Sequence, residues 1–409
     1  MDLEHSDRHK ALQEEVRRFI TEHGEHSPKT GGGRKRPDQQ ALDWQRLLLE
    51  KGYVGRSIPT EYGGLGAEPD VLVTAIIAEA FNQAGLSPGL MNQGISMLVP
   101  TLLEVGTEEQ RRRWIEPTMR GDIIWCQGYS EPGAGSDLAA AQTRAEMVDG
   151  EFVINGQKIW TSSAHYADMM FLLARTEPDQ PKHAGLSYLL LPMTAPGLEV
   201  RPLRTMTGRA EFNEVFFSDV RLAADQIVMQ RGDGWKVANI TLKFERTMIG
   251  DPGKAMNRLL RIRELMETTV VDGRRLMEQP AFRDRLLRLQ GEVLAAKYHG
   301  LRLLSDQARG EESGSGGIGR QILKLAGTQL GHRLSALAVD VLGAAGLNYE
   351  PRGEDVEDDD ATTWHIDYMY DIGLLIGGGT SQIQKNIISE RGLGMPREPK
   401  PASPAAKRG

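Results

Sequence analysis

The chain has 409 residues, 40% hydrophobic and 26% charged, and a formal net charge of −7. This is ordinary composition for a folded chain of two or three domains, and with no basic face legible it points away from nucleic acid as a partner. Apolar runs such as "YLLLPM" (188–193) fall far short of the roughly 20 residues that span a bilayer. The charged N-terminus "MDLEHSDRHKALQEEVRRFI" does not read as a signal peptide. The single cysteine, Cys126, excludes an intrachain disulfide and fits a reducing, cytoplasmic setting. No Cys/His spacing suggests a metal.

Residues 1–124 read as an N-terminal all-α domain. Leu12, Val16, Phe19 and Ile20 recur at helical spacing in "DRHKALQEEVRRFITEHG". A basic Gly/Pro-bearing loop, "HSPKTGGGRKRPDQQ", follows, and then "ALDWQRLLLEKG", "DVLVTAIIAEAFNQAG" and "RRRWIEPTMRG" continue the helical pattern. Thr107 with Glu109 and Gln110 resembles a helix start. Residues 125–232 change character. Asp149-Gly150 and Asn155-Gly156 read as hairpin turns flanking "EFVI". The runs "MMFLLART", "LSYLLLPM", "LEVRPL" and "NEVFFSDVRL" read as strands of a β-barrel or sandwich. Residues 233–396 return to helix, with four long candidates beginning at Trp235, Arg283, Gly319 and Thr380, for which a four-helix bundle is the simple packing solution. The acidic run "GEDVEDDDATT" (353–363) reads as a solvated loop, and the Pro-rich residues 397–409 as a flexible tail.

Several stretches carry chemistry. "GYSEPGAGSDLAA" (128–140) sets hydroxyls among glycines, an arrangement that on its own also describes a tight surface turn. "INGQKIWTSSAHYAD" (154–168), "MTGRAEFNEVFF" (206–217), "VLGAAGL" (341–347) and "GGTSQIQKNIISERGLGMP" (378–396) follow, and "PTEYGGLG" (59–66) precedes. Together this ordered set closely resembles the acyl-CoA dehydrogenase family, over nearly the whole chain.

The resemblance implies an FAD enzyme that removes the α-proton of an acyl-CoA while the β-hydrogen leaves as hydride to flavin N5, giving the trans-2-enoyl thioester. It implies Tyr129 and Ser130 at the flavin's pyrimidine edge and Ser136 at cofactor or substrate. Trp160 would flank the isoalloxazine, with Thr161 and Ser162 near N5. Arg275 resembles an arginine that reaches a neighbouring subunit's cofactor. Gly343 and Ala344 lie in the segment that clasps the adenosine half, where Asp340 and Ala344 depart from the family's glutamine and glycine. Thr380 and Gln382 match the closing motif. A cofactor clasped between subunits implies a homodimer or homotetramer, with an electron-transfer flavoprotein or similar acceptor as redox partner.

The α-proton of a thioester needs a carboxylate base, which many family members place just before the Gly-Thr of the closing motif. That position here is Gly378. A second family arrangement puts the glutamate on the first helix of the C-terminal bundle, before an arginine, and "LKFERTMIG" supplies Glu245 and Arg246 there. Ile240, Phe244 and Met248 form an i, i+4, i+8 stripe expected to face a core, with Glu245 at its margin. Glu245 is therefore the expected base, with Arg246 and Gly378 beside the substrate. Glu390 reads as helix surface, Glu131 as a motif residue that is not the base, and His165 as a satisfied histidine. Two rival readings stay open: a flavin monooxygenase or oxidase of the same fold, and a non-catalytic subunit of a hetero-oligomer.

Overall fold

The computed structural model describes residues 6–28, 35–248, 250–309, 318–349 and 360–397. The helical, β, helical order expected from the sequence is observed. Helices α1 (Asp7–His23), α2 (Gln39–Glu50) and α3 (Val71–Gln83) bury Leu12, Val16, Phe19, Trp44, Leu48, Val73, Ile76 and Phe81 against one another. Their starts are chemically marked: Ser6, Asp38 and Asp70 each accept a hydrogen bond from a first-turn N–H. A π-helical turn, Gly94–Leu98, runs into a short helix α4 (Val99–Val105) that the sequence reading did not anticipate. Helix α5 (Glu108–Met119) opens on a complete capping box between Thr107 and Gln110.

The β region is an eight-stranded sheet made of β1 (Trp125–Gly128), β2 (Arg144–Val148), β3 (Glu151–Ser162), β4 (Met169–Arg175), β5 (Leu186–Pro192), β6 (Leu198–Leu203), β7 (Phe212–Ala223) and β8 (Ile227–Val228). The strand order is β6-β7-β3-β2-β4-β5-β8, with β1 parallel to β4. Residues of the β4/β5 half (Met170, Leu172, Leu189, Leu191) share a core with residues of the β3/β7 half (Phe152, Ile154, Val215, Phe217), so the sheet folds over on itself. The opposite faces of β1, β4 and β5 pack against the N-terminal helices through Trp125, Phe171, Leu173, Tyr188 and Leu190. Both faces of these strands are buried, which is why they read as continuous apolar runs.

Asp149-Gly150 forms the expected hairpin between β2 and β3, both residues with positive φ (52° and 84°). Asn155-Gly156 does not turn. It lies inside β3 at a register shift against β7, where the Asn155 side chain pairs with Asp219 and a Cβ on Gly156 would stand 2.7 Å from Thr143 Cα. Close backbone approach, not chain reversal, is what that glycine serves.

The C-terminal region contains α6 (Gly234–Met248), α7 (Pro252–Thr268), a two-residue hairpin of β9 (Val270–Val271) and β10 (Arg274–Arg275), α8 (Pro280–Ala308), α9 (Gly319–Leu342), α10 (Asp360–Leu374) and α11 (Ser381–Ile387). Four helices share the bundle core, but they are α7, α8, α9 and α10, through Leu259, Ile262, Leu289, Val293, Leu334, Leu337 and Trp364. Two of these, α7 and α10, went unread. The first begins on "DPG", which resembles a turn. The second begins within the acidic run, whose residues 353–359, like the tail from residue 398 and residues 29–34 of the basic loop, lie outside the described residues. Among the described residues, no helix is long and apolar enough to cross a membrane.

Candidate active site

The chain leaves β1 into a loop pinned by two buried cations. Lys158 on β3 is fully buried and donates to Tyr129 O (3.0 Å) and Glu131 Oε1 (2.7 Å). Glu131 also accepts from the backbone N–H groups of Gln142 (2.6 Å) and Thr143 (2.8 Å). Burial pushes the Lys158 ammonium down to about 8 despite this pairing, and the Lys158 charge with the two N–H groups holds the Glu131 carboxyl below its ordinary range against the opposing effect of burial. Arg175 on β4 donates from Nη2 to Ala139 O (2.8 Å) and from Nε to Ala141 O (3.0 Å). Between these clamps Gly133, Gly135 and Ser136 are exposed, and a Cβ on either glycine would meet nothing.

Ile159 N donates to Ser130 O (2.9 Å), joining this loop to the end of β3. There the register against β7 slips between Lys158 and Thr161, and Trp160 adopts φ +61° with 57% of its surface exposed. A large aromatic in the left-handed region is strained and persists only where neighbours over-determine it. Lys158 is buried below, Thr161 is fully buried with its carbonyl accepting from Asn213 Nδ2, and Phe212 meets the indole edge-on at 5.8 Å. Trp160 is therefore presented at the surface and is not a core residue. The Thr161 hydroxyl is buried without a hydrogen-bond partner, and Ser162 is half-buried beside it. A displayed indole, half-buried Ser130 and Ser162, and an unsatisfied buried hydroxyl fit a flat heteroaromatic group with polar edges, the chemistry of a flavin. Tyr129 differs from expectation. Its ring is buried, edge-on to Phe171 and Tyr188, so its side chain faces the interior.

Helix α6 shares a core cluster with this loop, through Val237 and Ala238 on the helix and Tyr129, Ala134 and Ala141 on the loop. Among the described residues of α6, Gly234, Val237, Ala238 and Thr241 are buried, whereas Ile240 and Phe244 are only half-buried, which corrects the expected stripe. The side chain of Met248 lies outside the described set. The helix packs on β5 and α4 in place of a bundle core, and the Thr241 hydroxyl lies 3.0 Å from that of Thr101 on α4 and 3.4 Å from the Tyr188 hydroxyl. Glu245 is one turn beyond Thr241, on the side of the helix that carries the buried Val237 and Thr241. It is half-buried, and its charge acts on two groups: it adds to the burial that raises the Tyr129 phenol, and it opposes the burial that lowers the Lys324 ammonium. The Arg246 side chain lies outside the described set.

Lys324, on α9, is fully buried and donates to Gly379 O at 2.6 Å. Gly378 and Gly379 have φ of +63° and +89°, which side-chain-bearing residues adopt only at a cost. Gln384 Nε2 donates to Gly378 O, and the Thr380 hydroxyl accepts from Ile383 N and caps α11. Gln382 is exposed. The structure thus brings Ser130 to the strand end that carries Trp160, Thr161 and Ser162, with Ser136 further along the same loop. It sets Gly378 and Thr380 beside the Gly379 carbonyl held by Lys324, whose charge interacts with that of Glu245. It does not gather Arg275, Gly343 or Ala344, which are exposed at β10 and at the end of α9. Asp340 pairs with Arg285 across the bundle at 2.6 Å. Glu390 pairs with Arg397, and the His165 ring lies 3.2 Å from Asn213 Nδ2. Lys158, Arg175 and Lys324 were missed because their carbonyl and carboxylate partners are distant in sequence, and a lone lysine or arginine carries no local signal of burial.

Comparison with known proteins places these residues in context. Residues 6–122, 126–220 and 232–393 match the family models described as acyl-CoA dehydrogenase N-terminal, middle and C-terminal domains. Acyl-CoA dehydrogenase IpdE1 of Mycobacterium tuberculosis is 39% identical over 359 residues, covering 87% of this chain and 88% of the relative. Among solved structures, the Tcur3481-Tcur3483 steroid ACAD aligns with a TM-score of 0.81 at 28% identity, covering 97% of this chain and all of that one. The ChsE4-ChsE5 complex from Mycobacterium tuberculosis aligns with a TM-score of 0.79, also at 28% identity, covering 97% of this chain and 100% of that one.

Proposed function

The chain belongs to the acyl-CoA dehydrogenase family of oxidoreductases, and from that premise we propose that it oxidises an acyl-CoA thioester to the trans-2-enoyl-CoA with Glu245 as the base that takes the α-proton. The observation that carries this reading is the position of Glu245: it is half-buried on the side of α6 that carries the buried Val237 and Thr241, while Gly378 offers no side chain at the alternative position. A carboxylate partly withdrawn from water is a stronger base than one on a helix surface. Its charge is felt by the buried Tyr129 phenol and by the Lys324 ammonium, so it lies within electrostatic reach of both.

The family's members are FAD-binding flavoproteins, and FAD, when bound, supplies the acceptor for the β-hydrogen. Ser130, Ser136, Trp160, Thr161 and Ser162 would hold it in this chain. Thr380 and Gln382 are assigned to the cofactor from the closing motif. Arg275, Gly343 and Ala344 are assigned to a neighbouring subunit's cofactor. Exposed Leu287, Tyr298, Leu347 and Ile376 on the C-terminal region support assembly with a second family subunit, identical or not, since one solved relative is a ChsE4-ChsE5 complex. An electron-transfer flavoprotein or similar protein is the proposed electron acceptor.

The substrate we assign is a bulky branched or polycyclic acyl thioester. Gly378 leaves out the volume of a glutamate side chain, and a structural relative is described as a steroid ACAD. Glu245→Gln should keep bound FAD and lose acyl-CoA-dependent bleaching of the flavin under anaerobic conditions. Full bleaching by that variant would remove Glu245 from the role. A panel of acyl-CoAs in the same titration tests the substrate class, which fails if straight short chains prove the best substrates.

A further inference from the structure

The stretch between α9 and α10 makes contacts that the site as described does not use. Its 3₁₀ turn, Gly343–Leu347, buries Gly346, where a Cβ would stand 2.3 Å from Val339 O. His365 on α10 is buried, and its Nε2 donates to Gly346 O at 2.9 Å. The Tyr349 ring lies 5.4 Å from that imidazole, and its hydroxyl donates to Thr207 O at 2.6 Å, across 142 residues. Tyr349 is thereby seated on the C-terminal region while its tip holds the loop between β6 and β7.

That loop is tightly built. Thr205 N donates to Arg209 O and Gly208 N to Thr205 O, both at 2.9 Å, with Gly208 at φ +74°. The Thr205 and Thr207 hydroxyls lie 2.8 Å apart, the Thr207 hydroxyl accepts from Arg209 N, and Thr207 is buried. The loop runs into β7, where Glu211 O accepts from Ser163 N, Phe212 pairs with Ser162 and Asn213 with Thr161. Phe212 is the residue that meets the Trp160 indole edge-on. Tyr349 and Trp160 thus stand at the two ends of one run of bonds and contacts. A left-handed aromatic keeps its φ only through its neighbours, and this run brings one of them from a distant region of the chain.

We propose that Tyr349 is a positioning residue for the cofactor site: by holding the Thr207 carbonyl it fixes the β6–β7 loop and, through Phe212, the face of Trp160 in advance of cofactor binding. The inference rests on the reading that FAD stands against Trp160. It gives the site preorganisation, which lowers the ordering cost of binding. It also gives the Tyr349 hydroxyl a role that the packing of its ring on His365 does not require.

The test uses the full chain as Tyr349→Phe, Trp160→Gly and the double variant. Tyr349→Phe removes one oxygen and keeps the ring against His365. Two readouts are followed: FAD affinity by fluorescence titration, and amide exchange of Thr205, Gly208 and Arg209 in the FAD-free protein. Tyr349→Phe should speed exchange at those three amides and weaken FAD binding about three- to tenfold, the size of one hydrogen bond. In the Trp160→Gly background the same change should cost clearly less affinity, because its route to the cofactor is gone. A Tyr349→Phe protein with unaltered FAD affinity, or with unaltered exchange of the loop, overturns the proposal. An equal loss of affinity in both backgrounds also overturns it, since general loosening of the structure would give that result. Unaltered affinity in Trp160→Gly refutes the placement of FAD against Trp160. Weakened binding in Trp160→Gly beside an unaffected Tyr349→Phe refutes only the role of Tyr349.

Discussion

Replacing Glu131 by glutamine tests whether the Glu131–Lys158 pair holds the proposed flavin loop. The substitution leaves the Lys158 ammonium, fully buried, facing an amide where a carboxylate had been. The amide nitrogen must also oppose a donor, since the carboxylate accepts two backbone N–H groups and the ammonium together. Removing one partner of a buried pair costs about 3–5 kcal/mol. With the unfolding entropy scaled to 409 residues, about 1 °C per kcal/mol, this lowers Tm by roughly 3–6 °C. Because Lys158 also holds Tyr129 O, and Ser130 O pairs with the residue following Lys158, the FAD-to-protein ratio should fall along with Tm. Calorimetry and the absorbance ratio of flavin to protein measure both. The double variant Glu131→Gln/Lys158→Met removes the stranded charge and should cost less than the sum of the single changes, by about 1–3 kcal/mol. Additive single effects, or a Glu131→Gln protein with wild-type Tm and flavin content, would refute the assignment of this pair as the loop's anchor.

Three further outcomes follow, two of them at other residues. Trp160→Gly relieves a strained φ of +61° at an exposed position, so Tm of the FAD-free protein should hold or rise by about 0.5–1 kcal/mol equivalent while FAD affinity, measured by fluorescence titration, falls. Gly378→Ala places a Cβ at φ +63° and should destabilise the protein by about 1–2 kcal/mol in thermal unfolding. The Glu131 carboxyl is held below its ordinary 4.5, so its contribution is present above that pH and is lost as the folded protein takes up the proton in more acidic solution. A titration of Tm below pH 5 should therefore fall less steeply in Glu131→Gln than in the unaltered chain.

Much of the architecture was legible because its signals are local. The capping box at Thr107, the positive-φ pair at Asp149-Gly150 and the apolar runs of β4 and β5 are each set within a few residues. Asn155-Gly156 misled because the same dipeptide that makes a hairpin also permits a bulge, and only the approach of Thr143 decides between them. The α6 stripe misled for a related reason. Ile240 and Phe244 look like a core face, but the partners that bury this helix are β5 and α4, which place Val237 and Thr241 inside. The site divides in the same way. Exposed glycines and hydroxyls announce themselves in sequence, whereas the cations fixing them pair across 27 residues for Lys158 and Glu131 and 55 for Lys324 and Gly379.

The hydroxyl contact between Thr101 and Thr241 extends beyond stability. It ties a helix of the N-terminal region to the helix that carries Glu245 at a point one turn before the carboxylate. Tyr188 brings the sheet to the same point. Three regions of the chain thus meet at one cluster of hydroxyls. A substitution on α4 that shifts Thr101 is therefore expected to shift the part of α6 that carries Glu245, the proposed base, and a bleaching titration of such a variant would register it as a change in turnover.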